Sequence, residues 1–173
     1  MVLSLTEAHL QSLRLHAAQA YPEECCGLLL GIHQWREGVE TNAIRQVYAT
    51  PNTWEQSLTD LDAPEQLAAT AHRRYRIDPD AMLQAQRHAR TNGWDIIGIY
   101  HSHPDAAAVP SEWDRAWAWP QYSYVIISVE NGTARDLQSW CLDTHHEFLP
   151  ERLMVSDVAP PQVTPNLEDA LEI

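Results

Sequence analysis

One stretch constrains this chain more than any other: Ile96-Ile97-Gly98-Ile99-Tyr100 runs without a polar break straight into His101-Ser102-His103-Pro104. Continuous apolarity over so short a run suits a strand covered on both faces by other elements. The fold therefore needs layers on either side of a central strand. Strand alternation then places His101 and His103 on one face with their Cα atoms roughly 7 Å apart, and does so where the apolar run ends.

The surrounding sequence supplies those layers. Thr6 is placed to cap a helix with Leu10, Leu13, Ala17 and Tyr21 on one face, stopped by Pro22. Cys26 to Ile32, a turn at Glu37-Gly38 and Val39 to Ala49 read as an antiparallel strand pair. Asp62 with Glu65 marks a helix start for a segment running through Tyr75. Asp78, Pro79 and the stripe Met82, Ala85, Ala89 define another helix, closed by Asn92-Gly93. Ser111 to Trp119 reads as a short helix and Tyr122 to Val129 as a second buried strand. Asn131-Gly132 is a hairpin turn into the strand Ala134 to Leu142. The expected class is α/β in the broad sense (α+β): a mixed central sheet flanked by helices, one domain over residues 1–150. Residues 151–173, with Pro160, Pro161 and Pro165 among small and acidic residues, read as an acidic tail without its own core.

Composition narrows the function. The 24 acidic against 11 basic residues give a formal charge of -13, a sign that repels phosphate backbones and anionic membranes, so nucleic acid and membrane are excluded as expected partners. Cys25, Cys26 and Cys141 form neither a disulfide framework nor a C-x-x-C pair, and the first residues lack a basic segment followed by an apolar core. These features lead us to expect a cytoplasmic protein.

The His-x-His pair becomes chemistry through the residues on its C-terminal side. Pro104 and Pro110 bound a loop of small residues, Ser111 opens a helix, and Asp114 falls in its first turn, where the loop can fold it back toward the histidines. Two imidazoles and one carboxylate leave the fourth position of a tetrahedral zinc site to water. Zinc lowers the pKa of such a water to roughly 7. A base is still needed, and Glu23 or Glu24, at the mouth of the neighbouring strand, can supply a carboxylate.

With Glu24-Cys25-Cys26-Gly27 upstream, then His101-Ser102-His103, the stretch Pro104 to Pro110, Ser111 and Asp114, the sequence resembles the JAMM (MPN-plus, JAB domain) zinc metalloproteases of bacterial type. The resemblance covers the first helix to about Val129. It implies the JAMM fold, cytidine-deaminase-like in shape, with His101, His103 and Asp114 as zinc ligands. It makes Glu24, not Glu23, the general base and gives the Ser111 hydroxyl the tetrahedral oxyanion. The implied reaction is hydrolysis of a peptide or isopeptide bond after the C-terminal glycine of a ubiquitin-like or sulfur-carrier protein bearing a Gly-Gly tail. The few residues between the Asp114 helix and the next strand leave no room for the second insertion of eukaryotic deubiquitinases. The segment Thr53 to Tyr75 matches the position of a substrate-facing insertion.

Each residue also has a plainer reading. A His-x-His pair by itself is commonly a strand end and no more, Ser111 is an N-cap in any case, and Asp114 suits a helix dipole without a metal. Asp105 is the one substitute carboxylate near the loop. His145 and His146, being adjacent, are read as surface residues, and Trp113, Trp117 and Trp119 as core and cleft wall. An MPN-type scaffold without catalysis is the alternative function, and the intact set of five residues counts against it.

Overall fold

The structure, a computed structural model, describes residues 1–36, 38–57 and 70–156. Among them, seven strands close a barrel in the order β1-β3-β2-β4-β5-β6-β7. These are β1 (Val2–Thr6), β2 (Cys26–Arg36), β3 (Val39–Thr50), β4 (Asp95–Pro104), β5 (Ser123–Glu130), β6 (Thr133–Leu142) and β7 (Phe148–Ser156). The helices are few: α1 (Glu7–Ala20), the four-residue α2 (Trp54–Ser57), α3 (Pro79–Thr91) and α4 (Glu112–Trp117). None is long and apolar enough to cross a membrane.

β4 is central, as its composition requires. It pairs antiparallel with β2 and parallel with β5, setting Cys26 opposite His101 and His103 opposite Ser128. On one side of the sheet lies α1, whose buried Leu10, Leu13 and Ala17 join Leu29, Tyr100, Val125 and Ile127 in the main core. On the other, Ala85 and Ala89 of α3 pack with Leu28, Leu30 and Ile96. Two apolar layers therefore cover the strand that carries the histidines. Gly27 lets β2 lie close to it: a Cβ there would sit 2.4 Å from the Tyr100 ring and 2.5 Å from the Tyr48 carbonyl oxygen.

Local signals placed α1, α3 and the β5–β6 hairpin where expected. Thr6 Oγ1 accepts from the His9 amide at 3.3 Å, Asp78 Oδ1 accepts from the Asp80 amide at 2.7 Å, and Asn131-Gly132 turns with positive φ at both residues. Three expectations need correction. The mixed central sheet is present but closes into a barrel with few helices around it, because β1 pairs in parallel with both β3 and β7; β1 is too short to announce itself ahead of the helix cap. The folded body does not stop at residue 150: β7 runs to Ser156, and only residues 157–173 lie outside the described ones. Pro150 lies opposite Trp140 of β6, and the β1 ladder begins after it, at Arg152, so its missing donor costs that ladder nothing. The helix expected from Asp62 through Tyr75 lies mostly outside the described residues, and its described end, residues 70–75, is turn and irregular backbone.

Candidate metal centre

His101 and His103 leave β4 on the face opposite Tyr100 and Ser102, as alternation requires. Their Nε2 atoms are 3.0 Å apart. The loop after Pro104 brings α4 back, so that Asp114 Oδ1 lies 3.2 Å from His101 Nε2 and Asp114 Oδ2 lies 3.7 Å from His103 Nε2. Ligand atoms on a tetrahedral ion with bonds of about 2.0 Å are separated by about 3.3 Å. The three residues, all buried, could therefore hold a metal ion. The donor set fits one chemically as well: two imidazoles and a carboxylate facing one another are nitrogen and oxygen donors of the kind that zinc takes.

The surroundings fix each of the three side chains. His103 Nδ1 donates to the Ala107 carbonyl at 2.9 Å, which leaves Nε2 as the free lone pair. The Tyr75 ring stacks on His101 with centroids 4.6 Å apart, while His101 Nδ1 has no hydrogen-bond partner among the described residues. Asp114 Oδ2 accepts from both the Ser111 amide (2.7 Å) and the Ser111 hydroxyl (2.6 Å), and Ser111 Oγ in turn accepts from the Asp114 amide at 3.2 Å. This capping box means that Ser111 orients the Asp114 carboxylate as well as the helix. Burial raises the Asp114 carboxyl, but the two histidines and Ser111 outweigh it and hold the group well below the usual carboxylate range. Burial lowers both imidazoles; at His103 the bonds to Asp114 and Ala107 and the charge of Glu24 reverse the direction.

Glu24 lines the same polar cavity, of about 650 Å³, as His103, Ser111 and Asp114. Burial pushes its carboxyl up to about 8; Asp114 adds to this, while His103 and Arg74 draw it down. Glu23 is exposed, and its amide donates to the Ala20 carbonyl at 3.0 Å. Asp105 is a staple: its oxygens accept from the Tyr21 hydroxyl and the Asn131 amide. The His146 ring meets the Arg115 carbonyl in a turn, away from the centre. Burial pushes the Cys25 and Cys26 thiols up to about 12, which makes them poor nucleophiles.

Several contributors escaped the sequence reading. Ser102 is fully buried, and its Oγ accepts from the Cys25 amide at 2.8 Å, joining the Glu24 segment to the histidine strand. Asn52 Nδ2 donates to the Glu24 and Arg74 carbonyls, and its Oδ1 accepts from the Trp54 and Arg76 amides. Only the local bond to Trp54, an Asx turn after Pro51, has a sequence signal. A second, aromatic cavity of about 310 Å³ adjoins the first at Asp114, with walls that include Trp54, Tyr75, Met82, Trp113 and Tyr122.

Comparison with known proteins identifies the family. The chain is 30% identical over 131 residues to a desampylase of Haloferax volcanii, an alignment covering 73% of this chain and 80% of the relative. It is 28% identical over 130 residues to a probable TtuB-protein conjugate cleaving protease of Thermus thermophilus, covering 75% and 72% of the two chains. The solution structure of a Desulfitobacterium hafniense protein superposes with a TM-score of 0.70 at 27% identity, over 91% of this chain and 94% of that one. Residues 6–143 match the family model described as prokaryotic homologs of the JAB domain, and the chain belongs to that family.

Proposed function

We propose that this protein is a zinc-dependent peptidase that cleaves the peptide or isopeptide bond after the C-terminal glycine of a small ubiquitin-like or sulfur-carrier protein. The observation that carries this reading is the convergence of His101, His103 and Asp114 on a cavity that Glu24 also lines. The names of the two relatives, a desampylase and a protease of TtuB conjugates, point to the same substrate class.

A bound zinc ion supplies the Lewis acidity that polarises the scissile carbonyl and the attacking water. Glu24, with no hydrogen-bond partner for its carboxylate among the described residues, takes the proton of that water and delivers it to the leaving amine. The Ser111 hydroxyl, which now donates to Asp114, turns to the oxyanion as it forms. The Ala107 carbonyl keeps His103 in its ligating tautomer throughout. The deaminase-like outline implied by the family stays part of this reading, whereas deamination itself does not, since the chain has no Pro-Cys-x-x-Cys motif. The cytoplasm suits its cysteine content.

The test is cleavage of a carrier protein whose Gly-Gly terminus is fused to a reporter. Zinc-loaded protein is expected to cut after the second glycine, to stop on chelation and to resume on adding zinc. Folded, zinc-loaded protein that leaves every such fusion intact would move the function to a non-catalytic scaffold.

A further inference from the structure

This is an acidic chain, with 24 Asp and Glu against 11 Lys and Arg, yet Arg73, Arg74 and Arg76 crowd the walls of the two cavities that meet at Asp114. Among the described residues no carboxylate lies within ion-pair distance of any of them. Three guanidinium groups with no ion pair among the described residues, Arg74 reaching Glu24 only through its charge at longer range, leave room for an anionic ligand at the one place where chemistry is expected.

Arg74 is the most strongly held. Its guanidinium carbon lies 4.9 Å over the Trp113 ring, and Nη1 donates to the Arg73 carbonyl at 2.6 Å. Trp113 is itself packed edge-on against Trp54 at 5.7 Å and beside Trp117 at 5.8 Å. Asn52 binds the carbonyls of both Arg74 and Glu24, at 2.9 and 3.0 Å, so a single side chain sets the spacing between the cation and the base. A planar group held in this way loses little freedom when it forks onto a carboxylate.

The side of the cavity identifies the carboxylate. In the peptidase reading, on which this inference rests, Glu24 hands its proton to the leaving nitrogen, so that nitrogen sits beside Glu24. In a leaving α-amino acid the carboxylate is attached to the carbon next to that nitrogen. In a lysine isopeptide the nitrogen ends an alkyl chain and no carboxylate is near. An α-carboxylate entering a cavity that already holds the ionised Asp114 is repelled by it, and Arg74 is the charge on the cavity wall that compensates.

We propose that Arg74 binds the α-carboxylate of the leaving group, making the preferred substrate a carrier whose terminal glycine is capped by a single α-amino acid. The reaction is plain hydrolysis. The glycyl C–N bond breaks, the water oxygen bonds to the glycyl carbonyl carbon, and the amino acid departs with the transferred proton on its nitrogen.

The experiment compares kcat/KM of the zinc-loaded full chain on three substrates: a short peptide ending Gly-Gly-Ala with a free carboxylate, the same peptide as its C-terminal amide, and Gly-Gly joined to the side chain of a blocked lysine. The acid is expected to exceed the amide by about tenfold or more, the range of one charge-assisted hydrogen bond. Arg74→Gln should bring that ratio close to one, chiefly through KM for the acid, and Arg74→Lys should restore part of it. Equal rates on acid and amide in the wild type would overturn the proposal. So would an Arg74→Gln variant that slows both by one factor, which would assign the arginine to carrier binding or to the fold. Cleavage of the isopeptide or amide alone leaves the peptidase reading standing while removing this inference; cleavage of none of the three, nor of carrier fusions, removes both.

Discussion

Two buried glutamates occupy distant parts of this barrel and teach different lessons. Glu24 stands before β2, near the C-terminal end of β4; Glu151 lies in β7, near the start of β5. Both are 6% exposed, so burial does not distinguish them. Their partners do. Glu151 accepts from the Ser139 hydroxyl at 2.7 Å and the Ser123 hydroxyl at 3.1 Å, and Asn42 donates to Ser123 at 2.9 Å, forming a chain of bonds across β3, β5, β6 and β7. Burial raises its carboxyl to about 7, with the two serines pulling the other way. Glu24 has no such bonds and opens on a cavity shared with His103 and Asp114. A carboxylate tied by hydroxyls is structure, and one buried without them at a cavity wall is a candidate for proton transfer.

The largest expected effect separates the two by activity. Glu24→Gln should lower kcat/KM on Gly-Gly fusions by about a hundredfold or more, the scale of general acid–base catalysis, while zinc content stays constant and the thermal midpoint holds or rises. Loss of stability with activity retained would erase the contrast. Glu151→Ala should do the reverse: it strands two buried hydroxyls and costs about 1–3 kcal/mol in denaturant unfolding, with activity per folded molecule preserved.

A pH series sharpens the same contrast. The folded Glu151 carboxyl, raised to about 7 from its ordinary value of 4.5, keeps a proton that the unfolded chain has already lost between those limits. Its contribution is therefore complete below pH 4.5 and is lost as pH rises through about 7. Between pH 5 and 8 the wild type should lose about 1–3 kcal/mol relative to Glu151→Gln, read from unfolding curves of the two proteins. The smallest effect concerns how the Glu24 end is held. Ser102→Ala leaves the Cys25 amide without its side-chain acceptor and should cost about 1 kcal/mol, with kcat falling as Glu24 loses its alignment to β4. Unchanged kcat would show that the backbone bond from the Ser102 amide to the Cys25 carbonyl suffices.

The sequence reading succeeded wherever the cause was local. The apolar run of β4 forced a covered strand, alternation put His101 and His103 on one face, and the Ser111 cap put Asp114 in the first turn of its helix. The same local logic placed α3 between Asp78 and Asn92. It failed where a partner far along the chain decided the outcome. β1 and β7 are weak strands alone and exist as a pair, Val2 opposite Arg152 and Thr6 opposite Ser156. The segment ending at Tyr75 has a helical pattern, but residues 70–76 are tied instead to Asn52 and Glu24: the Glu24 amide donates to the Ala71 carbonyl at 2.8 Å.

By itself, then, the sequence determined that His101 and His103 share one face of β4 and that Asp114 falls in the first turn of α4, because strand and helix periods fix which side chains share a face within a few residues. Only the tertiary structure decided that Glu24, Ser102, Asn52 and Arg74 form one assembly around those three residues. The bonds that join them, such as Cys25 to Ser102, link residues far apart in the chain, and a contact satisfied across such a distance leaves no period in the sequence to read.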